Sequence, residues 1–428
     1  MTARSARTEA ARCLAAILDG RALHQVLPTA LTRCAAEHRA LLQSMLYGAL
    51  RQSPLLEGYI GALLDKPLRR KDHDIQALLL LGAYQILFMR TPTHAAVSET
   101  VATAQALKKP WAKGLVNGVL RRLIREQTAL THLLSEAQRA AAPEWLYAQL
   151  LKDWPEDAAQ ILEAGRSHPP LTLRANRIKT SRKALMDEWQ REGIACSAGP
   201  APESILLGAP VDVFALPGFN DGLCSVQDTS AQWAALWLNP QPGERVLDAC
   251  AAPGGKACHI AELQPNLASL NAWDINDERL ARVTENQNRL GLSFETACVD
   301  ICQPPQASRY DAVLVDAPCS ASGVLRRNPD VKLLRRAEDI AGFAEQQKRI
   351  LAGAWEHVAP GGRLLYCTCS VLRQENDDVV AAFVAEGQDR SVSIINSDEG
   401  VATAMGRQLL PDPVGGDGLF YALLSKAA

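Results

Sequence analysis

The stretch at residues 245–263, RVLDACAAPGGKACHIAEL, constrains the fold of this chain more than any other part of its sequence. Residues 245–250 fit a short buried strand, residues 251–255 are small as in a tight turn, and helical spacing resumes at Lys256. A strand, a glycine turn and a helix form the first half of a nucleotide-binding βαβ unit, in which glycines let a ligand approach the backbone. The dinucleotide fingerprint GxGxxG is absent from this turn.

From residue 241 to the end, candidate strands alternate with candidate helices. This alternation predicts a Rossmann-like α/β domain with a doubly wound, mostly parallel sheet, which binds its ligands at the carboxyl ends of the strands. The predicted strands are 245–250, 269–274, 294–299, 311–316, 362–367 and 419–424, and the predicted helices are 277–290, 337–358 and 374–385.

Two further domains are predicted ahead of this one. Residues 1–140 have apolar residues at helical spacing throughout, and residues 75–89 are apolar nearly all round, which predicts an all-helical bundle with a buried central helix. Residues 141–225 are punctuated by prolines and predict a linker and a small mixed α/β domain. The large α/β domain then occupies residues 226–428.

The charge of the chain is unevenly distributed. Residues 1–140 carry 19 Lys and Arg against 10 Asp and Glu, whereas the rest carries 26 against 37. The basic N-terminal part indicates an anionic partner, with a solvated helical surface as the alternative. The segment at 326–336, RRNPDVKLLRR, has five basic residues and one acid, and is either a phosphate contact or a solvated loop.

Cysteine usage and hydropathy set the expected compartment. The 11 cysteines do not form a disulfide framework in so long a chain, and they lack CxxC pairs with histidines at zinc spacing, so we expect reduced thiols and no metal. The sequence shows no signal peptide and no apolar run long enough to span a bilayer. We therefore expect a cytoplasmic protein without a membrane partner.

Acidic residues follow successive predicted strands. Asp274 comes about 20 residues after the glycine turn, where such units bind a ribose diol, although it could instead cap helix 277–290. Asp300 follows the next strand, where an adenine amino group finds an acceptor. Together with the glycine turn, these carboxylates suit a nucleoside with a charged tail.

Two cysteines follow two other predicted strands. The strand ending at Asp316 leads into a turn with Cys319, and the strand in RLLYCTCS leads to Cys369. If these parallel strands are neighbours, both thiols face one cleft, whereas a single buried cysteine is more often a small apolar residue.

The motifs DACAAPGGK, DAPCSASG and YCTCS, in this order and spacing, resemble the Nol1/Nop2/Sun family of RNA cytosine-C5 methyltransferases, which use S-adenosylmethionine. RTPTHAAVSETV and KGLVNGVLRRLIRE are similar to the RNA-binding domain shared with the NusB antitermination factor. The resemblance covers essentially the whole chain. It implies a monomer that methylates a cytosine in a 16S rRNA loop, on free rRNA or on an early small-subunit assembly intermediate.

The resemblance also implies roles for individual residues. Cys369 would be the nucleophile that adds to C6 of cytosine, and Cys319 would assist release of the product. Asp316 would hydrogen-bond the N3/N4 edge of the base, and Lys256 would lie close to the base and the cofactor. The implied cofactor-binding residues are Cys250, Ala251, Ala252, Pro253, Gly254, Gly255, Lys256, Asp274, Asp300 and Asp316.

Two rival functions remain open at this point. A DNA cytosine-5 methyltransferase would use Cys319 as its nucleophile, and the sequence contains both cysteines, so the division of roles rests on the resemblance. A binding module with a vestigial catalytic part is the other rival, which the intact Cys319, Cys369, Asp316 and Lys256 disfavour. C6 cannot be reached in a stacked helix, so a flipped base in an RNA loop is the expected target.

Overall fold

The computed structural model describes residues 5–303 and 309–428. The chain forms two compact units, Met1–Ser167 with Leu325–Ala337, and His168–Val324 with Glu338–Ala428. The helices are α1 (Ala6–Leu18), α2 (Leu23–Arg33), α3 (Arg39–Arg51), α4 (Ser53–Leu63), α5 (His73–Phe88), α6 (Thr93–Ala106), α7 (Ala112–Leu133), α8 (Glu136–Arg139), α9 (Glu144–Asp153), α10 (Ala158–Arg166), α11 (Arg182–Arg191), α12 (Thr229–Leu238), α13 (Gly255–Leu263), α14 (Asp277–Leu290), α15 (Val331–Leu334), α16 (Ala337–Glu356) and α17 (Asp377–Ala385).

The strands form two sheets. They are β1 (Leu171–Ala175), β2 (Cys196–Ala198), β3 (Ser204–Leu207), β4 (Cys224–Val226), β5 (Arg245–Asp248), β6 (Ser269–Asp274), β7 (Glu295–Cys298), β8 (Tyr310–Asp316), β9 (Val358–Thr368), β10 (Arg390–Ser393), β11 (Val401–Ala402), β12 (Arg407–Leu409) and β13 (Leu419–Lys426). None of the helices within the described ranges combines the length and apolar character that crossing a bilayer requires.

The first unit is a helical bundle built around α5. Helix α5 packs against α1, α3, α4, α6 and α7, and its leucines, such as Leu79 and Leu80, are buried. A helix that is apolar nearly all round is stable in water only when other helices surround it. The prediction of an all-helical domain with 75–89 as its central helix is therefore confirmed.

The segment Leu325–Ala337 is part of this first unit, although it follows the strand β8 of the second unit in sequence. The Asp330 carboxylate accepts a hydrogen bond from the backbone N–H of Leu23 at 2.8 Å. Arg51 Nε donates to the carbonyl oxygen of Arg326, also at 2.8 Å. These contacts anchor the segment among α2, α3 and the neighbouring helices.

Two of the basic side chains in this segment are buried. Lys332 is 5% exposed and Arg326 is 1% exposed. Lys332 Nζ donates to the carbonyl oxygens of Arg51 at 2.7 Å and Ala141 at 2.9 Å, and burial lowers the pKa of its ammonium to about 7. For these two residues, both sequence-based interpretations of 326–336, phosphate contact and solvated loop, are wrong, because their side chains are buried.

The second unit begins with a small antiparallel sheet in the order β2-β3-β1-β4, flanked by α11. In β1, Leu173 pairs with Ile205 of β3 and Val226 of β4. Leu173 and Ile205 pack with Trp189 of α11 into a separate apolar core. The prediction of a small mixed α/β domain ahead of the large sheet is confirmed.

The large sheet has the order β11-β12-β13-β9-β8-β5-β6-β7, and β10 pairs with β13. Strands β9, β8, β5, β6 and β7 are parallel, and the strands on the far side of β9 are antiparallel. Every predicted strand and helix of this domain is present, with ends that differ by up to four residues. The mostly parallel sheet is thus confirmed, and β10, β11 and β12 were not predicted.

Candidate active site

The carboxyl ends of the parallel strands surround a cleft of about 270 Å³. Neighbouring parallel strands end at the same edge of a sheet, so residues far apart in sequence meet there. The sequence-predicted site residues that line this cleft are Cys250, Ala252, Asp274, Asp300, Asp316, Cys319 and Cys369. The structure therefore brings most of the predicted residues to one place.

The other predicted residues belong to the turn between β5 and α13 and to the first two positions of α13. Gly254 has φ +98°, a conformation that favours glycine, and a Cβ there would lie 3.1 Å from the Cα of Val283. The backbone N–H of Ala251 donates to the carbonyl oxygen of Trp273 at 2.8 Å, so the turn is bonded to β6. Gly254 then precedes the first residue of α13, Gly255.

Asp274 fastens this turn rather than capping the next helix. Its carboxylate accepts hydrogen bonds from the backbone N–H groups of Ala252 at 3.2 Å and Asn276 at 3.0 Å. The N-cap of α14 is Asn276, whose side chain accepts from the backbone N–H of Arg279. The capping alternative for Asp274 is therefore wrong, and its buried carboxylate faces the cleft.

Asp300 lies beyond the end of β7. Its carboxylate accepts from the backbone N–H of Cys302 at 3.0 Å and from Gln303 Nε2 at 3.2 Å. The hydrogen bond from Cys302, and then that from Gln303, lower the pKa of Asp300. A charged acceptor thus lines the cleft one strand away from Asp274.

Asp316 and Lys256 form an ion pair at the end of β8. Lys256 Nζ lies 2.5 Å from Asp316 Oδ2, and Cys367 Sγ donates to Asp316 Oδ1 at 3.5 Å. Burial by itself lowers the pKa of Lys256, but the charge of Asp316 outweighs burial and leaves the pKa raised. The ammonium therefore stays charged beside a carboxylate that lines the cleft.

The two cysteines of the predicted site are in contact. Cys319 Sγ lies 3.1 Å from Cys369 Sγ, and both residues are free cysteines. The contact follows from the sheet, because β8 and β9 are adjacent and parallel with Asp316 opposite Cys367. The hydrogen bond with Cys369, followed by burial, raises the pKa of Cys319 well above its usual value, so Cys319 is a neutral thiol.

Two further acidic residues near the cleft are buried; Asp248 was predicted from the sequence to lie at this edge of the sheet, and Glu375 was not predicted. Asp248, at the end of β5, is fully buried, and burial followed by repulsion from Asp316 raises its pKa to about 7. Glu375 is also fully buried and contacts residues next to both cysteines. In the described residues, no cluster of three or more His, Cys, Asp or Glu side chains is arranged to hold a metal.

A parallel sheet extended by an antiparallel strand, with a nucleoside-sized cleft at its carboxyl edge, defines the Rossmann-like class of methyltransferases. Family sequence models agree with this class. The model described as 16S rRNA methyltransferase RsmB/F matches residues 235–425, the NusB family model matches residues 4–125, and the ferredoxin-like domain model of RsmF/B-like methyltransferases matches residues 142–214.

The chain belongs to the ribosomal RNA small subunit methyltransferase B family. It is 44% identical to the protein of that name from Pseudomonas syringae pv. tomato, over 99% of this chain and 97% of the relative. It is 43% identical to the one from Proteus mirabilis, over 99% of both chains. The family suggested by the sequence motifs is confirmed.

Solved structures support the fold. The crystal structure of PH0851 superposes with a TM-score of 0.81 at 23% identity, over 98% of this chain and 99% of that chain. A methyltransferase homolog protein from Pyrococcus horikoshii gives a TM-score of 0.57 at 28% identity, over 66% of this chain and 99% of that chain. The first similarity extends over all three predicted domains.

Proposed function

We propose that this protein methylates C5 of a cytosine in a 16S rRNA loop, using S-adenosylmethionine and a covalent bond between Cys369 and C6 of the base. The names of its relatives support the substrate, since they are ribosomal RNA small subunit methyltransferases. The observation that carries the covalent mechanism is the 3.1 Å contact between the sulfur atoms of Cys319 and Cys369 in the acidic cleft.

The donor and acceptor groups of the cleft fit S-adenosylmethionine. Asp274 and Asp300 each accept two hydrogen bonds from the protein, and a carboxylate has about four acceptor sites, so each retains capacity for a ribose hydroxyl or an adenine amino group. Cys250 and Ala252 of the turn at 250–255 line the cleft, and the missing Cβ of Gly254 lets this turn pack closely against α14 at Val283. When bound, this cofactor supplies an electrophilic methyl group on a sulfonium.

The residues around the base would act in two stages. Cys369, as thiolate, adds to C6, while Asp316 hydrogen-bonds N3 and N4 and favours protonation of the ring, so that C5 becomes nucleophilic. Lys256 holds Asp316 through the 2.5 Å ion pair. After C5 is methylated, a base removes the C5 proton, N3 gives up the proton it took during addition, the C6–S bond breaks, and Cys369 leaves as thiolate. Cys319, whose sulfur contacts that of Cys369, would assist the release.

The N-terminal unit would hold the RNA. Its match to the NusB family and the net positive charge of residues 1–140 favour binding to a polyanion. A cytosine must leave its stack to reach the cleft, which favours an rRNA loop, either free or in an early small-subunit assembly intermediate. We propose that the protein acts as a cytoplasmic monomer.

Substitution of each cysteine tests the mechanism. We expect Cys369→Ala to abolish both turnover and the covalent complex. Cys319→Ala should accumulate a protein–RNA adduct that survives denaturing electrophoresis. Bisulfite sequencing of rRNA from cells lacking this protein identifies the target cytosine. The reverse pattern for the two cysteines, together with methylation of duplex DNA, would instead support a DNA cytosine methyltransferase.

A further inference from the structure

A buried carboxylate connects the two loops that carry the cysteines. Glu375 is fully buried and ends the short turn between β9 and α17. Its Oε1 accepts from the backbone N–H of Ser320 at 2.8 Å, and its Oε2 accepts from the hydroxyls of Ser320 at 2.5 Å and Ser370 at 2.6 Å. Ser320 follows Cys319 and Ser370 follows Cys369, so one side chain bridges the neighbours of both thiols.

A second side chain extends this bridge to the other side of Cys319. Gln347 of α16 is fully buried, and its Nε2 donates to Glu375 Oε1 at 3.0 Å and to the carbonyl oxygen of Pro318 at 2.9 Å. Pro318 directly precedes Cys319. The residues on both sides of Cys319 are therefore fixed to the same carboxylate.

The chemistry of these contacts requires a carboxylate at position 375. Its four donors are neutral groups, namely one backbone amide, two hydroxyls and one side-chain amide. Both hydroxyls donate to Oε2, which only an oxygen acceptor permits. In Glu375→Gln, an NH₂ group in place of Oε2 would force both hydroxyls to change from donors to acceptors, and in place of Oε1 it would face Ser320 N–H and Gln347 Nε2, which only donate, so the bridge is weakened while the side-chain volume stays the same.

We propose that Glu375 is a positioning residue that holds Cys319 against Cys369, so that Cys319 reaches the cytosine ring while Cys369 is bonded to it. The inference rests on the proposed function, in which Cys319 assists the breaking of the bond between Cys369 and C6. Groups that exchange a proton must approach within hydrogen-bond distance, and a displacement of about 1 Å can slow such a step by about 100-fold. Loss of the bridge should therefore impair release more than addition.

The chain offers a matched control in the next residue. Asn376 is also buried, and its side chain accepts from Thr368 Oγ1 at 2.6 Å and donates to the Ser370 carbonyl at 3.0 Å and to Gln408 at 2.9 Å. These contacts secure the loop of Cys369 to its own side of the sheet. Asn376→Asp would place a carboxylate oxygen against the carbonyl oxygens of Ser370 and Gln408, so it disturbs the loop of Cys369 while the bridge from Glu375 to Ser320 stays in place.

The test is a single-turnover reaction of the full-length protein with a 16S rRNA fragment and labelled methyl donor. Adduct on a denaturing gel and released 5-methylcytosine are followed in time. We expect Glu375→Gln to slow release by at least about tenfold, with an apparent KM for RNA within about twofold of wild type. Asn376→Asp, which disturbs the loop of Cys369 but not the bridge, should slow formation of the adduct without slowing its release. If Glu375→Gln releases product as fast as wild type, the positioning role is overturned.

Two further outcomes are distinguishable. If circular dichroism shows that Glu375→Gln does not fold, the variants Ser320→Ala and Ser370→Ala test the positioning role instead. Each removes one hydroxyl that donates to Glu375 Oε2, and both keep the hydrogen bond from the backbone N–H of Ser320. Slow release in both supports the proposal, and wild-type release in the double variant overturns it. If wild-type protein itself forms neither adduct nor 5-methylcytosine, the proposed function fails, and the positioning role fails with it.

Discussion

Arg174 of β1 and Glu262 of α13 form a buried, two-pronged ion pair. Arg174 Nε lies 3.1 Å from Glu262 Oε2 and Arg174 Nη2 lies 2.8 Å from Oε1, with both side chains at most 1% exposed. Arg174 Nη1 also donates to the carbonyl oxygen of Gly255 at 3.1 Å. The small sheet is thereby bonded to the start of the helix that follows the glycine turn.

We expect Arg174→Met to lower the free energy of unfolding by about 3–5 kcal/mol, because Glu262 would be left charged and buried without its partner. Arg174→Met combined with Glu262→Gln should lose less than the sum of the two single variants. Urea unfolding followed by fluorescence measures all four proteins. Additive losses would show that the two side chains contribute independently.

The sequence predicted the sheet and seven of the residues that line the cleft, because these depend on local patterns. Asp274, Asp316 and Cys369 directly follow or end strands with clear apolar runs, and parallel strand ends meet by topology. The bond of Glu375 to Ser320 joins residues 55 apart, and that of Arg174 to Glu262 joins residues 88 apart. No local spacing signals such pairs.

Other features could not be predicted for different reasons. Strands β10, β11 and β12 are only two to four residues long, which is too short to show apolar alternation. The basic segment at 326–336 has the composition of a surface loop. The Lys332 side chain is nevertheless buried, because carbonyl groups of Arg51 in α3 and of Ala141 accept hydrogen bonds from its ammonium. Composition does not show which charged side chains find such acceptors.

Gly254→Ala should weaken cofactor binding. A side chain at φ +98° is strained by about 1–3 kcal/mol, and its Cβ would press against α14 at Val283. Displacement of the turn would move the backbone away from the ligand. Isothermal titration with S-adenosylmethionine measures the loss. Gly243→Ala is the control, since Gly243 has φ +80° with no atom within 4 Å of a Cβ, and we expect it to bind normally. Equal loss in both variants would indicate general strain.

Asp248→Asn should change how stability depends on pH. The folded protein raises the pKa of Asp248 to about 7 from 3.8, so it retains a proton that the unfolded chain releases. Stability from this group is complete below about pH 4 and declines as the pH rises to about 7. The advantage of Asp248→Asn over wild type should therefore grow across this range, to at most roughly 4 kcal/mol. Urea unfolding at pH 5 and pH 8 measures it, and an unchanged difference would contradict the assignment.

Lys332 lies in the first unit, and its effect on stability should depend on pH with a sign opposite to that of Asp248. Lys332→Met should remove this dependence. The folded protein lowers the pKa of Lys332 to about 7, whereas the unfolded chain keeps the proton up to about pH 10. Between these values the unfolded state binds more protons, so wild-type stability should rise with pH by up to about 1.4 kcal/mol per unit. The variant lacks this rise, although it also loses two hydrogen bonds to buried carbonyls. Unfolding measured at pH 7, 8 and 9 should give a flatter curve for Lys332→Met than for wild type. As a control, Lys152→Met removes a lysine at an exposed position of α9 and should keep the wild-type dependence of stability on pH. If the curves for wild type and Lys332→Met are parallel, Lys332 stays charged in the folded protein.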